Sequence, residues 1–113
     1  MNLTNQQLAI CHKYNEEALF SLPKDKIGIA LSTIGKMPIN GVRYINENGT
    51  SGWYIWCGEE LSNEVDFFKP LHIEHLEKYL PLIQKYLALP IGYRFLVTDT
   101  YEDIWLDKSI KIS

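Results

Sequence analysis

The sequence predicts a single α+β domain in which a mostly antiparallel sheet of about five strands packs against an N-terminal and a central helix. Three observations carry that prediction. Strand-like runs rich in β-branched and aromatic residues recur through the chain, at 26–34, 42–45, 52–57, 93–98 and 102–106. Two of the connections between them are short and carry turn residues, so neighbouring strands return antiparallel. Two other stretches, 4–20 and 72–87, repeat apolar residues at spacings of three and four. The resulting order, α-β-β-β-α-β-β, segregates helices from strands instead of alternating them. With 113 residues, 46% of them hydrophobic, the chain is one domain, 1–113, with enough apolar mass for a core without disulfide or metal staples.

The first helix is expected to start at a Thr4 cap with Gln7 three residues on, and to bury Leu8, Cys11, Tyr14 and Ala18 before Leu22-Pro23 ends it. Lys26 to Ile34 reads as a strand showing Ile27, Ile29, Leu31 and Thr33 on one face, although Ala30 and Leu31 also permit a short helix. Met37 to Gly41 reads as a turn and Val42 to Ile45 as a short strand. Asn48-Gly49 then supplies the positive φ of a tight hairpin turn. The return strand, Gly52 to Cys57, alternates Trp53, Ile55 and Cys57 with Tyr54 and Trp56, so both of its faces are apolar and cover is expected on both. The loop Ser62 to Pro70 holds Phe67-Phe68, which need burial and suit a plug over one end of the core. From His72 to Leu87, Ile73, Leu76, Leu80, Ile83 and Leu87 form one helical stripe. Pro81 interrupts it because proline has no N–H to donate to the carbonyl four residues back. Tyr93 to Thr98 and Glu102 to Leu106 make a second hairpin.

Charge is unevenly spread. Residues 1–50 carry five basic against four acidic side chains; residues 51–113 carry six against ten. An acidic half argues against nucleic acid as a partner, because phosphates demand basic neutralisation, and allows a basic protein surface. It serves solubility equally well. Cys11 and Cys57 stand far apart outside any C-x-x-C, which suits reduced thiols in a cytoplasmic protein. No basic stretch followed by an apolar run opens the chain, and no apolar run approaches the length of a bilayer span, so neither a secretory signal nor a membrane partner is expected.

The chemistry-bearing clusters are few. Glu59, Glu60, Glu64 and Asp66 form an acidic group at the end of the aromatic strand; acid–base catalysis would require one of them to sit in an apolar pocket with a raised pKa. Asp103, Trp105 and Asp107 alternate with Ile104 and Leu106, so an uncovered face there would present an aromatic flanked by carboxylates, a common interface anchor. His72 and His75 stand three apart, a spacing that can bring two imidazoles to one metal, but Cys57, Glu74 and Asp66 offer no evident spacing to complete the ligand set, and a packing or capping pair explains them more simply. Adjacent Cys11 and His12 diverge by about 100° on a helix and make no nucleophile–base pair. The signatures GxGxxG, GxxxxGK, GxSxG and HExxH are absent. No cofactor is expected.

Together, Gly49 to Ser62 (GTSGWYIWCGEELS), Asp66 to Leu76 (DFFKPLHIEHL), Tyr86 to Pro90, Gly92 to Leu96 and Tyr101 to Asp107 resemble the bacterial immunity-protein-like family numbered thirty-three, formerly a domain of unknown function. Ala30 to Thr33 and Pro38 to Gly41 fit the same pattern, so the resemblance covers about residues 27–107. It implies a non-catalytic protein of polymorphic toxin systems that neutralises a cognate toxin domain by binding it. It assigns no catalytic residues. A nuclease toxin with a basic cleft would suit an acidic plug, and a toxin of another class would not need one. The expected contact set is Glu59, Glu60, Glu64, Asp66, Asp103, Trp105 and Asp107, on a monomer or homodimer. The alternatives are a small enzyme or metal-dependent domain using His72, His75 and nearby acids, and a self-associating structural domain pairing through the Glu102–Leu106 edge.

Overall fold

A computed structural model describes residues 2–110. Its centre is one six-stranded sheet in the order β4-β1-β3-β2-β5-β6, built from β1 (Lys26–Ile29), β2 (Ile39–Arg43), β3 (Thr50–Cys57), β4 (Lys69–His72), β5 (Tyr93–Val97) and β6 (Glu102–Leu106). The domain is α+β as expected, with six strands in place of five. All neighbours pair antiparallel except β1 and β3, which run parallel.

Both expected hairpins form. The β2–β3 turn closes through Thr50 N–H to Glu47 O at 3.0 Å, with Gly49 at φ 80. Strand β2 starts three residues earlier than Val42, because Ile39 finds a partner in Cys57. The unexpected strand is β4. It pairs with β1, Ile27 opposite Leu71, across a long stretch of sequence that gives no local sign of the pairing. Its proline is tolerated because β4 is an edge, where one side of the ladder makes no hydrogen bonds.

The helical parts depart further from expectation. Helix α1 (Leu3–Lys13) is capped by Asn2, whose Oδ1 accepts from Asn5 N–H at 2.8 Å, and not by Thr4. It ends before Ala18 because Asn15 adopts φ 57, a left-handed turn that asparagine tolerates. The expected strand after Ile29 gives way to a 3-10 turn, Leu31–Thr33. The helix expected over 72–87, with a kink or second short helix at Pro81, is two 3-10 helices, Ile73–Lys78 and Pro81–Tyr86; the break at proline is as expected, the helix type is not. The apolar stripe still holds: Leu76, Leu80, Ile83 and Leu87 are buried, with Leu80 and Leu87 at the two ends of the second 3-10 helix.

Helix α1 and the two 3-10 helices Ile73–Lys78 and Pro81–Tyr86 cover one face of the sheet. Trp53, Ile55 and Cys57 of β3 meet Ile27, Ile29, Ile39, Phe95, Val97 and Ile104 there, beneath Leu76, Ile83 and Leu89. Helix α1 docks through Gln7 Nε2–H to Gln84 O at 3.0 Å and the Cys11 thiol on Ala88 O. The Phe95 ring lies over Gly41, where any Cβ would overlap it. Phe67-Phe68 do not plug an end of this core. They lie on the opposite face, where Phe68 packs edge-on against Tyr54 and Trp56 at ring separations of 5.2 and 6.2 Å, over a smaller cluster of Ala30, Val42, Trp56 and Ile110. Cover on this second face is partial: Trp56 is buried, but Tyr54 remains 39% exposed. No helix among the described residues is long and apolar enough to cross a membrane.

Candidate functional site: an aromatic sheet face with an acidic rim

The side chains that leave the second face of the sheet are set by register. One row runs Gly28, Tyr54, Val42, Arg94, Trp105 across β1, β3, β2, β5 and β6; the next runs Trp56, Asn40, Leu96, Asp103. Strand alternation sends all of these away from the helices. Phe67 and Phe68 cover only part of the area, so Tyr54 at 39%, Tyr44 at 42% and Trp105 at 38% exposure stay open to solvent. Tyr44 and Tyr54 stack edge-on at 5.7 Å, and a groove lined by Val42, Tyr44, Tyr54, Leu61, Phe68 and Arg94 runs between them and the loop.

At the C-terminal end of β3 the chain turns sharply. Gly58 has φ 90, a conformation open to glycine, and its N–H reaches Pro38 O at 2.8 Å. The amide of Asn40 holds the turn from beside it, donating to Trp56 O at 3.2 Å and Gly58 O at 2.9 Å. Glu59 and Glu60 leave this fixed point into solvent. With Glu64 they line a broad open depression whose floor includes Thr33 and Cys57 and whose far side carries Lys36. Asp66 follows on the same loop, exposed, 3.7 Å from Lys69. Asp103 belongs to the Trp56 row and therefore to the same end of the sheet.

Asp107 is placed differently. It follows the Leu106–Tyr93 pair at the other end of β6 and accepts from Arg94 Nε–H at 2.7 Å, Ser109 N–H at 2.9 Å and the Ser109 hydroxyl at 2.6 Å. Those Ser109 and Arg94 hydrogen bonds hold its carboxyl down to about 2. Of the seven residues singled out in sequence, Glu59, Glu60 and Glu64 gather, Asp66 lies on the same loop, Asp103 and Trp105 stand on the edge strand β6, and Asp107 orients Arg94. The sequence reading missed Tyr44, Tyr54 and Arg94. The outward alternation of Tyr54 was legible; the absence of a covering helix was not.

Neither thiol is set up as a nucleophile. Cys11 and Cys57 are both buried and unbridged, and burial raises the pKa of each. Cys57 lies in the main core, away from the histidines. His72 and His75 instead converge with Glu74: their ligand atoms all lie within 4.8 Å of one another. On the helix side, Tyr86 donates to Glu102, and Glu102 also meets Lys13 at 3.5 Å, so this acid ties β6 to the helices.

The profile of the Imm33-like domain matches residues 6–107, and the chain belongs to that family, an immunity-protein-like one. The match begins well before residue 27 and takes in most of α1. No curated protein and no solved structure matches the chain.

Proposed function

We propose that this protein is a non-catalytic immunity protein that acts in the cytoplasm by binding a toxin domain and occluding its active site. Family membership supports the class. The observation that supports this mode of binding is the exposure of Tyr44, Tyr54 and Trp105 on one sheet face together with the exposed carboxylates Glu59, Glu60, Glu64, Asp66 and Asp103. Rigid aromatics with a carboxylate rim suit a partner that is apolar at its centre and basic around it, such as a toxin domain with a cationic substrate cleft. In this reading Trp105, on the edge strand, is an aromatic anchor, the five acids steer association, and Asp107 keeps Arg94 pointed beside Trp105. Solvent-exposed carboxylates act over the Debye length of about 8 Å at physiological salt, so their contribution falls mainly on the association rate.

The test is the double charge reversal Glu59→Lys/Glu60→Lys, assayed by protection of cells expressing the cognate toxin and by binding across a salt series. Weaker protection, slower association and a flatter salt dependence are expected. Unchanged protection with an unchanged salt slope would remove the electrostatic part of the reading.

A further inference from the structure

We infer that His72, Glu74 and His75 form a binding site for a zinc-class divalent metal ion. The inference does not rest on the toxin-binding reading. Two imidazoles and one carboxylate make a recurrent three-ligand set for zinc, with a fourth position left for water. Their arrangement here follows from the local fold. His72 ends β4, and the chain passes directly into the 3-10 helix Ile73–Lys78. Three residues make one 3-10 turn, so a residue and its third successor come nearly into line, where an α-helix would set them apart. The two imidazoles accordingly lie 6.2 Å apart at 33° to each other, and Glu74 Oε1 is 3.7 Å from His75 Nε2.

Donor atoms of a tetrahedral zinc lie about 3.3 Å apart when its bonds are about 2.0–2.1 Å long. The three donors here, all within 4.8 Å of one another, need only side-chain rotation to reach that spacing. Glu74 and His75 are exposed. The backbone that carries them is fixed: Ile73 N–H binds Asp25 O at 3.0 Å, Glu74 N–H binds Pro23 O at 3.1 Å, and Leu76 of the same turn is fully buried. A rigid backbone under adjustable side chains is what a surface metal site requires.

Two lysines oppose the ion. Lys24 Nζ sits 2.9 Å from the same Glu74 Oε1 that would ligate, and Lys26 stands opposite His72 in the β1–β4 ladder. Exposed ion pairs are weak, with a median of about 0–1 kcal/mol, so Lys24 tempers the site without closing it. That competition gives the assignment its sharpest signature: removing Lys24 tightens the metal, whereas removing a ligand loosens it.

The experiment uses the whole chain with any purification tag cleaved off, stripped by chelator and titrated with zinc by calorimetry. Cobalt substitution reads the coordination through its visible absorption. One zinc per chain is expected. His75→Ala and Glu74→Gln should each weaken it by at least about tenfold, since loss of a ligand costs no less than the 10–100-fold of a change in the residues that orient one. Lys24→Ala should bind more tightly than the parent. His12→Ala, which removes the remaining histidine, should change nothing. Unaltered circular dichroism and melting keep each variant interpretable. Absence of saturable binding, binding unmoved by His75→Ala, or Lys24→Ala binding no tighter than the parent would overturn the assignment.

Discussion

Replacing Arg43 by methionine removes a buried cation whose positive charge is balanced by carbonyl dipoles with no carboxylate in its hydrogen-bond set. Its side chain is 2% exposed and stacks on Trp53 with 5.6 Å to the ring centroid. It makes five hydrogen bonds: Nε to Ser51 O at 2.9 Å, Nη1 to Leu19 O, Leu87 O and Leu89 O at 2.8, 3.1 and 2.8 Å, and Nη2 to Ser21 Oγ at 3.2 Å. Burial, only partly countered by Asp25, lowers its pKa to about 10, so the guanidinium stays charged at neutral pH. One side chain thus joins β2 to β3, to the segment after α1 and to the end of the second 3-10 helix. Methionine fills most of the volume but donates nothing. Leu87 O keeps Trp53 Nε1–H at 2.9 Å, while Leu19 O and Leu89 O each lose the guanidinium donor. At about 1–3 kcal/mol for each buried acceptor left unpaired, and with some return from no longer burying a charge, the expected loss is about 4 kcal/mol. An unfolding entropy of about 2.1 cal/mol/K per residue turns that into a fall in Tm of about 17 °C. Arg43→Lys should fall nearly as far, because an ammonium at one point cannot replace a fork that reaches three separate segments. The assay is thermal melting with a parallel urea series, in which the midpoint should drop at constant slope. A Tm within about 3 °C of the parent for Arg43→Met would refute the claim that these hydrogen bonds hold the domain together.

Trp105→Ala should separate binding from stability: the residue is 38% exposed on the edge strand of the open face, so melting should shift by a few degrees at most, while toxin affinity, read by calorimetry, should fall by about 2 kcal/mol or more where Trp105 anchors the partner. Asp107 tests the acid limb of stability. Its folded pKa is depressed from 3.8 to about 2, so its contribution is fully present above pH 3.8 and is lost as pH falls toward 2. Asp107→Asn should therefore melt less steeply with pH between those values, and an unchanged pH profile would show that the Arg94 and Ser109 contacts do not persist in solution.

Much of the strand layout was legible because its causes are local. Asn48-Gly49 permits only a few backbone turns, and the alternation of Trp53, Ile55 and Cys57 with Tyr54 and Trp56 reports a strand wherever the chain goes next. Pro81 had to break the central helical stretch. The type of helix was not legible, because the spacings of three and four among Ile73, Leu76, Leu80, Ile83 and Leu87 read as an α-helical stripe. The His72–His75 pair was legible from its spacing, but the convergence of Glu74 with it was not. The acidic rim was visible as composition, but its members could be sorted only by register, which gathers Glu59, Glu60 and Glu64 and turns Asp107 onto Arg94.

By itself, then, the sequence determined an α+β domain, two hairpins, a stripe of buried leucines and isoleucines, and an acidic second half, since torsional preference and burial periodicity act over a few residues. Tertiary structure decided that β4 joins β1, that β1 lies parallel to β3, that Arg43 is enclosed by carbonyls, and that one sheet face stays open. Each of those depends on which distant segments meet, and the free energy of such a meeting is shared between side chains far apart in the chain, none of which carries the pattern alone.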